Sequence, residues 1–187
     1  MQKRGFSTKR LVLDALLIAL YVILGFWKIP IGNILRVNSA SFAVTICAVA
    51  FGPVDGLVVG FMGEFLSQIL GPYGLTPTTV LWALPEAARG LTLGLAVVLL
   101  SRKKENLATK QGAAMIIYLF ACVLTGIIAS LLNTFALYVD SKMFGYYSEY
   151  MVFGVLLVRL GIAVAMSGAF GYVTRIIVSA LQRNKFV

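Results

Sequence analysis

The chain has 187 residues, of which 60% are hydrophobic and only 12% charged, with a mean hydropathy of +0.93. Average soluble domains are about 45–50% apolar and about 25% charged, so this is the composition of an integral membrane protein. The net charge of +9 does not point to nucleic acid, because the basic residues fall between apolar runs and form no stripe.

Six spans are predicted, at about 11–29, 38–52, 54–70, 78–100, 113–138 and 151–180, within one membrane domain covering residues 1–187. The first follows Lys3, Arg4, Lys9 and Arg10 and ends in Gly25-Phe26-Trp27-Lys28. A cleaved signal peptide would end in small residues, so this run reads as an uncleaved helix. It places Ala15 and Ala19 four residues apart, a spacing that lets another helix approach closely. The connection to the second span delivers Arg36, Asn38, Ser39 and Ser41.

The second and third spans are short and joined by Gly52-Pro53-Val54-Asp55-Gly56, a tight turn. On the third, Glu64 and Gln68 are four apart and share a face. A Gly/Pro/Thr loop containing Tyr73 leads to the fourth span. There Thr79, Trp82, Glu86 and Arg89 fall at offsets of 3, 4 and 3, again one face. Pro85 removes a backbone donor and is expected to bend or start the deeper part of this helix. Asn133 lies near the outer end of the fifth span, and Arg159 lies early in the sixth.

Basic residues set the orientation. The N-terminus, the loop with Arg102, Lys103, Lys104 and Lys110, and the C-terminus with Arg183 and Lys185 fall on one side if the number of spans is even. By the positive-inside tendency that side is the cytoplasm. The expected fold is an all-α, six-transmembrane-helix bundle with both termini cytoplasmic, multi-pass in a cell membrane. Tyr146, Tyr147 and Tyr150 suit the opposite interface.

No P-loop, H-E-x-x-H or G-x-S-x-G motif occurs. Histidine is absent, and the two cysteines, Cys47 and Cys122, lie inside predicted spans. The usual ligands of zinc, haem and iron–sulfur centres are therefore missing, and no metal, cofactor or catalytic residue is expected. Charged groups at bilayer depth cost about 2.5–3.5 kcal/mol each on insertion scales, so their clustering needs a reason. Glu64, Glu86 and Arg89 fall near mid-membrane, with Gln68, Trp82 and Asn133 within a few turns of the outer face. They either pair to hold the bundle together or line a cavity for a small polar ligand.

In order and spacing these features resemble the substrate-binding S component of an energy-coupling factor (ECF) vitamin transporter. The resemblance rests on Ala15-x-x-x-Ala19, Arg36-Val37-Asn38-Ser39, Phe51-Gly52-Pro53-Val54-Asp55-Gly56, Gly60-x-x-Gly63-Glu64 and Gly71-Pro72-Tyr73-Gly74. It is most similar to the folate-type group, which includes folate, pantothenate and pyrimidine or pyridoxine carriers. The resemblance implies high-affinity capture of a vitamin from outside and docking on a transmembrane coupling subunit driven by two ATPase subunits. Ala15 and Ala19 would then dock on the partner. Arg36, Asn38, Glu64, Gln68, Tyr73, Thr79, Trp82, Glu86, Arg89, Asn133 and Arg159 would be candidates for substrate binding.

Folate-type members often follow the Gly-Pro-aromatic turn with another Pro-Gly, whereas this chain has Leu75-Thr76-Pro77-Thr78-Thr79. A pocket with Arg89, Asn133 and hydroxyls suits a smaller carboxylate, and pantothenate is favoured over folate, hydroxymethylpyrimidine and pyridoxine. The competing reading is a stand-alone secondary carrier or channel that relays ions or protons through Glu64, Glu86 and Arg159. A third is a membrane enzyme acting on lipid, in which, without histidine, Glu64, Glu86 or a lysine would have to serve as the base.

Overall fold

In the computed structural model, residues 8–31, 35–72, 74–101, 107–109 and 111–183 are described, without the side chains of 28–38, 182 and 183. Among them the chain forms six α-helices: α1 (Thr8–Phe26), α2 (Ser41–Ala50), α3 (Pro53–Ile69), α4 (Thr79–Leu100), α5 (Ala113–Met143) and α6 (Leu156–Arg183). These helices fall on the apolar stretches of the sequence, and their lengths differ. Three stretches, 79–100, 113–143 and 150–181, are long and apolar enough to cross a membrane. With 10 residues, α2 rises only about 15 Å, half the thickness of a hydrocarbon core. At the other extreme, α5 has 31 residues and continues past the predicted end at 138.

Two further departures occur at the ends of predicted spans. The first outer connection holds a hairpin, with β1 (Lys28–Ile31) antiparallel to β2 (Leu35–Asn38) and Ile29 opposite Val37. Ahead of α6, Tyr150–Gly154 form a wide π-helical turn.

Gly52, at φ +109°, takes a backbone conformation that glycine adopts without steric cost. Pro53 follows at the first turn of α3, where its missing N–H has no helical partner to lose. The α3 and α4 backbones then meet through glycine. A Cβ on Gly60 would lie 2.3 Å from the Glu86 carbonyl oxygen, and one on Gly90 would lie 2.0 Å from that of Gly56. Only hydrogen fits at such crossings. Because α4 is continuous through Pro85, the expected start of a deeper helix does not occur there.

One end of the bundle is packed by Ala48, Val49, Leu93, Val97, Leu107, Tyr118 and Val178. These come from the C-terminal halves of α2, α4 and α6, the start of α5 and, for Leu107, the short turn at Leu107–Thr109. At the same end, Arg10 on α1 pairs with Asp55 and donates from Nη2 to the Phe51 carbonyl at 2.6 Å. The described ends of the chain therefore share one end of the bundle, as an even number of spans requires.

Candidate functional site

Toward the opposite end, α3, α4, α5 and α6 enclose a cavity of about 900 Å³. Each wall is one helical face. From α3 come Glu64, Ser67 and Gln68; from α4 come Trp82, Pro85, Glu86 and Arg89; from α5 come Ser130, Asn133, Leu137 and Asp140. Arg159, Ile162, Ala163, Met166, Ser167 and Phe170 of α6 complete the ring. The repeats of three and four residues are the helical period, so a single stripe on each helix supplies the wall.

The charges are not scattered along it. Glu86 Oε2 faces Arg89 Nε at 3.1 Å as an ion pair within α4, although the two atoms lack hydrogen-bond alignment. Ser41 donates to Glu86 Oε1 at 2.8 Å, and Arg89 Nη1 donates to the Ser167 hydroxyl at 3.1 Å. One chain of contacts thus joins α2, α4 and α6. An ion pair taken out of water needs such supplementary partners to offset desolvation.

Glu64 is held differently. The Tyr21 hydroxyl donates to its Oε2 at 2.6 Å, and the Gln68 amide donates to its Oε1 at 2.6 Å. Tyr21 is 2% exposed, and its ring occupies the space a Cβ on Gly63 would need. Asp140 accepts from the hydroxyls of Thr78 and Tyr146. It thereby ties the loop before α4 to the segment after α5, at the rim of the cavity. On α6, Arg159 Nη2 donates to the Met151 carbonyl of the π turn at 2.7 Å.

Of the candidates read from the sequence, the structure brings Glu64, Gln68, Trp82, Glu86, Arg89, Asn133 and Arg159 to this cavity. Thr79 shares the face of Trp82 but is 1% exposed and accepts from the Thr76 backbone N–H at 2.8 Å. It braces the loop and is not among the lining residues. Tyr73 and the side chains of Arg36 and Asn38 lie outside the described residues. Ala15 and Ala19 do not line the cavity and are exposed on α1.

Sequence reasoning missed Tyr21, Ser67, Asp140, Tyr146 and Ser167, all of which line the cavity. A signal existed for Asp140, which stands seven residues after Asn133 and so repeats its face. The hydroxyl groups give no comparable signal, because serine is common on any membrane helix.

This arrangement can bind but offers no activated nucleophile. The two cysteines are buried and free, and neither lines the cavity. Among the described residues no group of three metal-ligating side chains converges.

Known proteins share this architecture. A solved S component of a bacterial ECF transporter is 19% identical, with a TM-score of 0.56 over 94% of both chains. The S component for biotin from an ECF-type ABC transporter is 18% identical, with a TM-score of 0.58 over 96% of this chain and 95% of that one. At such identities the likeness concerns the fold. The UPF0397 protein of Lactobacillus johnsonii is 35% identical over 111 residues, 58% of each chain. A UPF0397 protein of Vibrio atlanticus is 30% identical over 93 residues, 49% of this chain and 50% of the relative. The chain thus spans little more than half the length of the curated relatives it matches. Residues 5–183 match the family described as ECF-type riboflavin transporter, S component. With nearly its whole length covered by that match, the chain belongs to the family of ECF-type riboflavin transporter S components.

Proposed function

We propose that this chain is the substrate-binding subunit of an ATP-driven vitamin uptake system in a bacterial cell membrane. The observation that carries the reading is the cavity itself, of about 900 Å³. It lies toward the end of the bundle away from the described ends of the chain and is walled by Trp82 and Phe170 together with Glu64, Asn133 and Arg159. An apolar enclosure with a few convergent polar groups is the usual form of a small-molecule site. Membership of the S-component family supports vitamins as the ligand class. It also supports a transmembrane coupling subunit and two ATPase subunits as partners, the chain itself being a transport subunit and not an enzyme. Docking would use the exposed face of α1 that carries Ala15 and Ala19.

Two vitamins are favoured by separate observations. Riboflavin is named in the description of the family. Pantothenate, the carboxylate favoured by the sequence, draws on a hydrogen-bonding wall with Asn133, Ser130 and Arg159. Arg89 argues for it less, because Glu86 already pairs with that guanidinium's charge.

Mass spectrometry of small molecules released from the purified chain tests the reading, followed by titration with a vitamin panel. A released vitamin that rebinds tightly is expected. A chain that releases and binds none overturns the proposal. Uptake without partner subunits would favour instead a stand-alone carrier relaying through Glu64, Glu86 and Arg159.

A further inference from the structure

Arg159 is the unusual cation of the cavity. Among the described residues the ion pairs are Arg10 with Asp55 and Arg89 with Glu86, and Arg159 has no carboxylate within ion-pairing distance. Its Nη2 donates to the Met151 carbonyl at 2.7 Å, whereas its Nη1 is buried without a hydrogen-bond partner. Nearly all buried polar atoms in folded proteins are hydrogen-bonded, so an exception calls for an explanation.

Packing does not supply one. Ile162, Ala163 and Met166, the neighbouring lining residues of α6, are apolar, and an uncharged side chain would fill this wall without desolvating a guanidinium. The Met151 carbonyl does more than satisfy one hydrogen. It belongs to the π turn Tyr150–Gly154, and turns of this kind concentrate at functional sites. Holding Nη2 there fixes the orientation of the guanidinium at the cavity wall.

Glu86 is matched by Arg89, and Asp140 accepts from the neutral hydroxyls of Thr78 and Tyr146. Among the described residues no carboxylate pairs with the charge on Arg159. We propose that Arg159 is the specificity-determining residue of the cavity and that the vitamin it selects carries a carboxylate. This rests on the vitamin-binding reading above and narrows it to organic acids. A carboxylate accepts parallel N–H donors from a guanidinium and cancels its charge, which a neutral ring carbonyl does only in part.

The test titrates the purified full chain and its R159M variant with pantothenate, biotin, nicotinate and folate as acids, and riboflavin and pyridoxine as uncharged vitamins. The acid that binds is then compared with its own amide or alcohol. The wild type is expected to prefer the acid by about 10- to 100-fold, the range for a hydrogen bond to a charged group. In R159M that preference should shrink to about 2-fold or less. A role in packing alone would weaken acid and amide equally and would overturn the proposal. Should R159M not fold, the acid-to-amide ratio of the wild type decides, because a ratio near unity overturns the proposal without any variant. Riboflavin or pyridoxine as the sole ligand overturns the carboxylate inference and leaves the vitamin reading standing. Failure of all six to bind overturns both.

Discussion

Gly60→Ala is a one-methyl change with a large expected effect. The new Cβ would lie 2.3 Å from the carbonyl oxygen of Glu86 and 2.7 Å from its carbonyl carbon. Ordinary van der Waals contact begins near 3.4 Å, so α4 must retreat from α3 by roughly 1 Å at that point. Both clashing atoms belong to backbone, so no side chain can rotate to make room. Overpacking of this kind costs about 1–3 kcal/mol, against which alanine returns up to about 1 kcal/mol of helix propensity. A net loss of about 1–2 kcal/mol corresponds to about 2–8 °C in melting temperature for a chain of this size.

The retreat is centred on Glu86, so the Ser41–Glu86–Arg89–Ser167 contacts should loosen and ligand affinity should fall with stability. Gly168→Ala is the matched control, since nothing lies within 4 Å of its added Cβ, and it should melt at or slightly above the wild type. Thermal unfolding of the purified proteins in detergent, with and without ligand, reads both. A Gly60→Ala protein that melts and binds like Gly168→Ala would refute the close α3–α4 crossing and the site built on it.

Three further outcomes follow from the same contacts. Removing one member of the α4 ion pair, as in Glu86→Gln, should destabilise by about 3–5 kcal/mol by leaving Arg89 uncompensated. The double variant Glu86→Gln, Arg89→Met should recover much of that loss in chemical or thermal unfolding. Asp140→Asn retains one good acceptor for the two hydroxyls of Thr78 and Tyr146, which should loosen the rim and speed ligand dissociation in a chase experiment. Ala15→Trp alters an exposed position outside the cavity, so co-purification with coupling subunits should be lost while ligand affinity stays within about 2-fold.

The helices were legible because apolar length and period are local properties of the sequence. The same periodicity aligned the cavity-lining faces of α3 and α4, since Glu64 with Gln68 and Trp82 with Glu86 and Arg89 need only helical spacing to align. Spacing gives a face but not a depth, which is why Thr79 aligned with Trp82 yet turned into its own loop. Nor does it reveal partners on other helices. Ser41 and Ser167 matter because tertiary packing sets them against Glu86 and Arg89. The hairpin was more accessible than the sequence reading allowed, since Gly32-Asn33 between Ile-rich stretches is a recognised turn signal. The π turn before α6 depends on how Arg159 and its surroundings pack, and no sequence rule locates it.

Uptake of radiolabelled vitamin into cells, with the chain expressed alone or together with coupling and ATPase subunits, tests the central claim most directly. A substrate-binding subunit predicts accumulation only when the partners are present, abolished when the ATPases are inactivated. Equal accumulation by the chain alone would contradict it.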